Sequence, residues 1–487
     1  MTYFIGIDMG TTSTKAVAFV ESGDVLLRQS NGYPIEHTHD DWNEQDPDLI
    51  FEAVVKGINQ LQTALAGKGT LQGISFSAAM HGVIAVDADY KPLTLCIIWA
   101  DNRAADIADN LRKHWKKKGK KIFEKTGTPL HPMSPLMKII WLRENAPEIF
   151  KKTAKFIGIK EYVFQKLLGE CVVDEQIASA TGLLNIKARQ WDKSALKLAG
   201  ISKKKLSPVV PSVYHKLFKK INYSGTTPID IPEGTPLVVG GSDGALANLG
   251  SGAHQSGDVV VSVGTSSAIR MLTDSPYFDG AMRTFCYIVD DNRYIVGGGT
   301  NSGAFVLQWL KESILLNTQS FDDFYNAASL IPAGSDGLFF LPYILGERAP
   351  IWNAHARGIF FGLDTTHTQA HMIRAAMEGI VFHLFTIGKV LNKEEKIKKI
   401  YAGGGFAKNG TWVQMLSDVF NCEVEITETV EISAAGAVMV GRLALGLPAM
   451  SPPVIVKVYQ PNTENHALYA KCVEKFEKIY FINKTLF

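Results

Sequence analysis

An internal repeat is the feature of this 487-residue sequence that most limits how it can fold. Residues 7–15 resemble residues 261–269, because each segment is an apolar strand, a Gly-Thr turn rich in hydroxyl groups, and a second strand. The turn glycines, Gly10 and Gly264, lie about half a chain length apart. One duplicated domain with a hydroxyl-rich hairpin in each copy is the economical explanation.

The pattern between the repeats predicts the fold class. Strands alternate with helical patterns along the chain, which is typical of an α/β fold. Residues 4–8, 14–20 and 25–27 are short apolar runs joined by polar turns, which predicts an antiparallel meander. Asp46 and Pro47 form a helix-start signal ahead of apolar positions that recur every three or four residues.

The repeat also predicts the domain organisation. We expect an N-terminal domain over residues 1–246 and a C-terminal domain over 247–450, divided in a stretch rich in Gly and Ser. Residues 451–487 begin with prolines and end in a charged helical pattern, and we expect them to form a helical appendage on the second domain.

Composition excludes several classes of protein. Lys and Arg total 50 against 48 Asp and Glu, so a general nucleic-acid binder is not expected. The five cysteines show no CxxC spacing, which argues against a disulfide framework or a zinc ribbon and favours a reducing compartment. The sequence has no signal-peptide pattern and no apolar run of about 18 residues. We expect a cytoplasmic protein without a membrane partner, and a homodimer stays open.

The turn after the first strand has the chemistry of a phosphate site. Residues 8–15 offer a glycine, consecutive backbone amides and several hydroxyl groups. Asp8 ends the strand, where a carboxylate can hold Mg²⁺ directly or through water. The alternative is an ordinary hairpin, and the GxxxxGK[ST] pattern of a P-loop is missing. Two such hairpins facing each other would grip one polyphosphate.

Other glycine-rich turns follow apolar strands. Residues 238–245 form a strand whose turn presents Asp243, our candidate for the base that accepts the proton of an acceptor hydroxyl. Asp243 could instead cap the following helix, or serve both roles. Residues 403–405 separate a strand from a helix, as in many nucleotide sites, although a tight connection is the plainer interpretation. Residues 297–303 are interpreted as a second turn of this kind.

Two loops of the first half carry candidate acceptor-binding residues. One holds Met80 and His81, and the other holds Trp99, Asp101 and Arg103. Polar groups that read hydroxyls beside an aromatic face suit a polyol, and an arginine suits a carboxylate. Taken singly, His81 would more often be structural and Trp99 would more often belong to the core. As a cluster they predict a site for a small sugar or sugar acid.

Two long segments carry a family resemblance. Residues 133–145, and residues 358–363 with 371–378, resemble the two signatures of the FGGY carbohydrate kinases, and the similarity runs over about residues 3–450. The resemblance implies two ribonuclease-H-like domains of the actin and hexokinase superfamily, with an ATP cleft between them. It implies a magnesium-dependent kinase for a small-molecule sugar or sugar acid.

The resemblance also implies roles for individual residues. Asp8 would lie near the magnesium and the ATP phosphates, Asp243 would be the catalytic base, and Met80 and His81 match the substrate-contacting pair of xylulose kinases. Together with the turn patterns, it predicts a set of nucleotide contacts at Thr11, Thr12, Ser13, Lys15, Gly264, Thr265, Ser266, Gly303, Gly404, Gly405 and Asn409.

Within the family, residues 75–87, 97–104 and 345–353 look most like gluconate kinases. We therefore expect phosphorylation of D-gluconate to 6-phospho-D-gluconate, with Arg103 as the partner of the carboxylate. Xylulose kinases carry a WNDGR-like loop and glycerol kinases an Arg-Glu pair where this chain differs, which disfavours both substrates. A xylulose or other polyol kinase is the alternative within the family, and a non-catalytic ATP-binding regulatory protein is the alternative from another class.

Overall fold

The computed structural model describes residues 1–113, 116–220, 227–428 and 431–487, and two large sheets organise them. The six-stranded sheet has the order β5-β6-β4-β1-β2-β3, and its strands are β1 Thr2–Met9, β2 Ser13–Val20, β3 Val25–Gly32, β4 Thr70–Ala78, β5 His215–Leu217 and β6 Pro236–Ser242. The seven-stranded sheet has the order β9-β10-β8-β7-β11-β12-β13, and its strands are β7 Asp258–Val263, β8 Ser267–Thr273, β9 Phe285–Ile288, β10 Tyr294–Thr300, β11 Lys399–Gly403, β12 Val424–Thr427 and β13 Ile455–Tyr459.

The two sheets repeat one pattern of strand directions. The central strands β1 and β7 each pair antiparallel with the next strand of the chain and parallel with β4 or β11. Three further pairs of strands correspond in pairing and direction between the two sheets. They are the third meander strands (β3 and β10), the second parallel strands (β6 and β12) and the antiparallel edge strands (β5 and β13). The duplication predicted from the two glycine turns is therefore seen in the strand order, with β9 as an addition to the second sheet.

Helices cover the faces of both sheets. The first begins as predicted, because the Asp46 carboxylate accepts a hydrogen bond of 2.8 Å from the Asp48 amide and Pro47 occupies the first turn. Among the described residues, no helix is both long enough and apolar enough to cross a membrane. The helices are α1 Pro47–Leu65, α2 Ala105–Lys113, α3 Lys116–Thr126, α4 Pro135–Asn145, α5 Pro147–Lys152, α6 Ile159–Leu168, α7 Glu175–Ser179, α8 Lys193–Ala199, α9 Asp243–Gly250, α10 Ala304–Trp309, α11 Phe321–Ser329, α12 Gln369–Leu391, α13 Gly410–Phe420, α14 Ile432–Ala444 and α15 Thr463–Asn483.

Short strand pairs brace the loops between these elements. They are Glu44–Gln45 with Cys96–Ile97, Ile84–Val86 with Lys155–Ile157, Val173–Asp174 with Val209–Val210, Leu184–Asn185 with Gln190–Trp191, and Phe339–Leu341 with Ile359–Phe361. Two of these pairs lie in the loops that carry the predicted acceptor-binding residues, and they give those loops a fixed backbone.

Helix α14 joins the two halves of the chain. It comes from the second half, yet Ala434 and Ala435 share a buried cluster with Phe4 and Val17 of the first sheet. It also packs closely on α9, since a Cβ at Gly436 would lie 2.0 Å from the Leu246 carbonyl oxygen. This contact fixes the position of α9, whose first residue is Asp243.

Two sequence-based expectations need correction. Residues 297–303 were expected to form a turn, but β10 continues to Thr300, and its glycines let neighbouring groups approach the strand. Residues 451–487 are more than a helical appendage, because they also supply β13, which pairs with β12 at the edge of the second sheet. A strand of this kind is hard to see in sequence because it has few buried residues.

Candidate active site

The first glycine hairpin is held from behind and leaves its amides free. The Tyr33 hydroxyl donates to the Gly10 carbonyl at 2.7 Å, and the Tyr33 amide donates to the Thr12 carbonyl at 3.1 Å. Gln45 donates its side-chain amide to the Thr11 carbonyl. Within the described part of the chain, the backbone amides of Thr11 and Thr12 donate to no protein acceptor. Free amides at a tight glycine turn are the donors that a phosphate group requires.

The second hairpin is equivalent and packs against the start of α10. The Ala304 amide donates to the Gly264 carbonyl at 2.7 Å. A Cβ at Gly303 would lie 2.6 Å from the Thr265 carbonyl oxygen, so only glycine allows this approach. Gly264 and Thr265 are exposed, and Ser266 is half-buried. The structure thus brings Gly303 to the second hairpin, as its predicted role requires.

The turn after β11 lies beside the same hairpin. Gly404 has a φ of +92°, and a Cβ there would lie 2.6 Å from the Val263 carbonyl oxygen at the end of β7. Gly405 is exposed with open space around its Cα. Asn409 caps α13, because its side-chain oxygen accepts from the Trp412 amide at 2.9 Å. The predicted nucleotide contact of Asn409 therefore depends on its side-chain NH₂ group.

Two acidic side chains, Asp8 and Asp243, lie beside the first hairpin. Asp8 is the next-to-last residue of β1, and its carboxylate accepts a hydrogen bond of 2.8 Å from the Ser77 hydroxyl. Asp243 begins α9, and its carboxylate accepts from the Gly244 amide at 2.7 Å. Burial and the nearby charge of Asp243 raise the pKa of Asp8 to about 6, and burial also raises the pKa of Asp243. The strand register explains why they are close, since Asp8 pairs with Ser77 of β4 and Ser242, directly before Asp243, pairs with Ala78 of the same strand.

Asp243 is not the cap of its helix. The hydroxyl of Ser242 accepts from the Ala245 amide at 3.3 Å and takes that position. The alternative interpretation of Asp243 as a helix cap is therefore excluded, and its carboxylate remains free to act on a ligand.

Replacing Asp8 with asparagine should stabilise the fold at neutral pH. The folded pKa of about 6 lies above the ordinary value of 3.8, so the contribution of Asp8 to stability is complete below pH 3.8 and is lost as the pH rises through 6. The free energy of unfolding of Asp8→Asn should exceed the parent's by about 2–3 kcal/mol at pH 7.5, and the gain should vanish near pH 4. Urea unfolding across this pH range measures the difference.

The matched control for that experiment is the exposed Asp40, which makes no side-chain hydrogen bond within the described residues. Asp40→Asn should leave the stability of the protein unchanged at both pH values. A stability difference for Asp8→Asn that does not vary with pH would contradict the electrostatic account of the cleft.

Lys15 connects the first hairpin to the second half of the chain. Its ammonium group forms an ion pair of 2.8 Å with Glu431, which directly precedes α14, and Arg28 lies 3.6 Å from the same carboxylate. Lys15 is 40% exposed in its side chain, so the ammonium group stays accessible from the cleft. In the predicted nucleotide contact, the Lys15 ammonium group would bind the nucleotide while it remains paired with Glu431.

His81 presents a hydrogen-bond acceptor to the pocket. Its ring Nδ1 lies 2.9 Å from the Ala180 carbonyl oxygen, and this contact requires Nδ1 to carry the proton. Burial lowers the pKa of His81 to about 3, so the ring is neutral at physiological pH. The remaining Nε2 lone pair can accept a hydrogen bond from a hydroxyl group.

His131 has the opposite polarity and was not predicted. Its Nδ1 accepts from the Met133 amide at 3.2 Å, so Nε2 carries the proton and donates. Its ring packs on Trp352 with centroids 5.1 Å apart, and burial holds its pKa well below the ordinary value. One neutral acceptor and one neutral donor, His81 and His131, suit the recognition of neighbouring hydroxyl groups.

Trp99 lies between the first hairpin and the acceptor pocket. Its indole Nε1 donates to the Thr11 hydroxyl at 2.9 Å. Its ring packs under the guanidinium of Arg348, which lies 4.8 Å from the ring centroid and comes from the second half of the chain. The same ring borders a cleft whose lining reaches from Gly10 to Met80. The phosphate hairpin and the acceptor loops therefore open into one space.

The structure does not place Asp101 and Arg103 in this pocket. Arg103 forms a bidentate pair with Asp101, with both N···O distances 2.9 Å, and it also lies 2.8 Å from Glu44. Its side chain is only 3% exposed and stacks on Trp42 at 3.8 Å. Because Arg103 and Asp101 are both buried in this ion-pair cluster, the predictions that Arg103 grips a substrate carboxylate and that Asp101 binds substrate are both wrong.

Lys138 positions the acceptor loops and was also missed. Its buried ammonium group donates to the carbonyls of His81 and Ile98, both at 2.7 Å, and to that of Ile97 at 3.1 Å. These bonds tie the His81 loop to the Trp99 loop. The only signal in the sequence was that Lys138 lies within the segment of residues 133–145.

Comparisons with known proteins extend over both halves of the chain. Residues 3–250 match the N-terminal domain, and residues 259–445 the C-terminal domain, of the FGGY family of carbohydrate kinases. The chain is 42% identical over 455 residues to a gluconokinase from Bacillus subtilis (strain 168), with 91% of this chain and 88% of that protein covered.

Two solved structures from Lactobacillus acidophilus are also similar, each at 36% identity. One is described as a ligand-bound xylulose kinase, with a TM-score of 0.94 and coverage of 99% of both chains. The other is described as a gluconate kinase, with a TM-score of 0.93 and coverage of 99% of this chain and 98% of that one. The predicted architecture of two ribonuclease-H-like α/β domains around a nucleotide cleft is confirmed, and the chain belongs to the FGGY family of carbohydrate kinases.

Proposed function

We propose that this chain transfers the γ-phosphoryl group of ATP to the C6 hydroxyl of D-gluconate. The observation that supports it most strongly is that the strand register brings Asp8 and Asp243 to neighbouring strand ends, beside hairpins whose Thr11 and Thr12 amides bond to no acceptor in the described chain. A base, a carboxylate for a cation and two phosphate-binding turns are what phosphoryl transfer to an alcohol requires. The choice of gluconate rests on the 42% identity to a gluconokinase.

In this proposal, the residues of the chain mainly position the reactants. The amides at the hairpins of Gly10 and Gly264 hold the polyphosphate, while Gly303, Gly404 and Gly405 leave room for the nucleotide. Asp243 accepts the proton of the C6 hydroxyl as that oxygen attacks the γ-phosphorus in line. Closure of the proposed domains, 1–246 and 247–450, would exclude water from the transfer.

Magnesium fits this site. Mg²⁺ prefers oxygen ligands, and the partly exposed carboxylate of Asp8 is available. A bound cation would relieve the repulsion between Asp8 and Asp243 that raises the pKa of Asp8. Within the described residues no group of three or more His, Cys, Asp or Glu could hold a metal, so water and phosphate oxygens would complete the coordination. When bound, the ion neutralises charge on the phosphates.

A coupled assay of ADP formation tests the proposed function. With MgATP and D-gluconate, turnover should proceed at roughly 1–100 s⁻¹, and without an acceptor it should fall to background. Xylulose, ribulose and glycerol, measured in parallel, should give lower kcat/KM values than gluconate. ATP consumption that is independent of any acceptor would instead favour a regulatory ATPase, and preference for xylulose would favour the function named for the 36% identical xylulose kinase.

We further propose that the reaction takes place in the cytoplasm. The five free cysteines, all buried, are compatible with a reducing compartment.

A further inference from the structure

Two arginines near the acceptor loops, Arg270 and Arg348, lie close to carboxylates but form no direct ion pair within the described chain. Arg270 lies on β8, and Arg348 lies in the loop before α12. Within the described chain, neither guanidinium makes an ion pair or a hydrogen bond with a carboxylate. Buried charges in proteins are usually paired, so an unpaired pair of arginines indicates a missing anionic group.

Arg348 is fixed in place but keeps free donors. Its Nε donates to the Asn301 side-chain oxygen at 2.8 Å, and one Nη donates to the Thr300 carbonyl at 2.6 Å. Its planar group lies between the Trp99 ring and Gly299, where a Cβ would lie only 3.0 Å from Nη1. Nη1 makes no hydrogen bond to the residues the structure describes, so it keeps its donors for a ligand.

Arg270 lies closer to the catalytic base. Its Nε packs against Gly244, where a Cβ would lie 2.9 Å away, and this Nε is buried without a hydrogen-bond partner in the described chain. One Nη makes only a long contact of 3.4 Å with the Ser262 hydroxyl. The carboxylate of Asp243 is the negative charge that acts on the Arg270 guanidinium.

The two guanidinium groups also repel each other. The charge of Arg270 contributes to lowering the pKa of Arg348 to about 10, although burial is the larger cause. The neighbouring Glu347 opposes this lowering of the pKa, but its carboxylate makes no ion pair with the guanidinium and accepts instead from the amides of Asn301 at 2.6 Å and Arg348 at 2.7 Å. An anion between the two arginines would remove this repulsion and supply acceptors for their free donors.

We propose that Arg348 and Arg270 form the recognition site for the carboxylate of the acceptor, with Arg348 as the main ligand. This proposal rests on the proposed function, in which the acceptor is a sugar acid. Arg348 stacks on Trp99, which borders the cleft, and its charge acts on His81 and His131. We assign this group of residues to the end of the acceptor away from the transferred phosphoryl group. Arg270, beside Asp243, adds positive charge along the path between the carboxylate and the reacting hydroxyl.

Binding measured by calorimetry without nucleotide tests this assignment. D-Gluconate is compared with D-glucitol, a neutral polyol with the same carbon chain and no carboxylate. The parent protein should bind gluconate about tenfold to a hundredfold more tightly than glucitol. In Arg348→Met this preference should fall to within about threefold, and in Arg270→Met it should fall by a smaller factor. Binding of an ATP analogue should stay within about twofold of the parent in Arg348→Met.

Two further variants and a check on folding complete the test. Arg357→Met is the matched control, since Arg357 is exposed and bonds only to backbone carbonyls, and it should keep the parent's preference. Arg348→Lys keeps the charge without the fork and should give an intermediate preference, with thermal melting as the check on folding. An unchanged preference in Arg348→Met, or weaker binding of the ATP analogue alone, would overturn the proposal and assign the arginines to the phosphates. A parent protein that does not bind gluconate would instead overturn the proposed function.

Discussion

Asp243→Asn is expected to lower gluconate-dependent ADP formation by about 10²–10⁴-fold, the range for loss of a positioned general base. The asparagine side chain cannot accept the proton of the acceptor hydroxyl at neutral pH. It can still accept the hydrogen bond that the Gly244 amide gives to the carboxylate at 2.7 Å. Initial rates at saturating MgATP and gluconate measure the loss, and the KM values should change far less than kcat.

The same variant should fold as well as the parent. Ser242, not Asp243, caps α9, so the start of the helix keeps its hydrogen bond. Ser242→Ala is the matched control at the adjacent position. It should cost about 1 kcal/mol of stability through loss of the cap while retaining most of the turnover. Near-normal turnover of a correctly folded Asp243→Asn protein would remove Asp243 from the mechanism.

Asp101→Ala is expected to have the largest effect on stability, about 3–5 kcal/mol in the free energy of unfolding. The Arg103 guanidinium, 3% exposed, would lose a bidentate partner and keep only Glu44. The Asn43 amide, which donates to Asp101 at 2.7 Å, would lose its acceptor as well. Urea unfolding followed by tryptophan fluorescence measures the change, because Trp42 stacks on Arg103 at 3.8 Å.

An exposed ion pair provides the comparison. Glu144 lies 2.8 Å from Arg143, and its side chain is 51% exposed, so Glu144→Ala should cost less than about 1 kcal/mol. If Asp101→Ala were no more destabilising than Glu144→Ala, the cluster around Arg103 would not be the structural element inferred here. The earlier assignment of Arg103 to a substrate would then have to be considered again.

The parts of the fold that depend on local sequence signals could be predicted. Asp46 and Pro47 marked the start of α1, and the two Gly-Thr turns marked corresponding hairpins, because caps and tight turns are set by a few adjacent residues. Strand β13 could not be predicted in this way. Its pairing with β12 is a tertiary contact, and four of its five residues are exposed.

The same distinction applies to the site. Asp8 and Asp243 were found because each stands at the carboxyl end of an apolar strand, and the ends of such strands meet at one edge of a sheet. Arg103 was misassigned because its partner Glu44 is remote in sequence, and the sequence does not show which partner a charge will find.

Arg348 was missed for the opposite reason. It reaches the Trp99 ring from the other half of the chain, so only the folded structure brings the two together. When a site is built from both halves of a chain, sequence analysis finds only those residues whose own loop carries a recognisable pattern.

A ternary complex with a non-hydrolysable ATP analogue, Mg²⁺ and D-gluconate gives the most direct test of the account. The distance to measure is that from the Asp243 carboxylate to the C6 hydroxyl. We expect about 2.6–3.2 Å, with the hairpins of Gly10 and Gly264 both in contact with the polyphosphate. A nucleotide bound away from either hairpin, or a hydroxyl held beyond the reach of Asp243, would contradict the account.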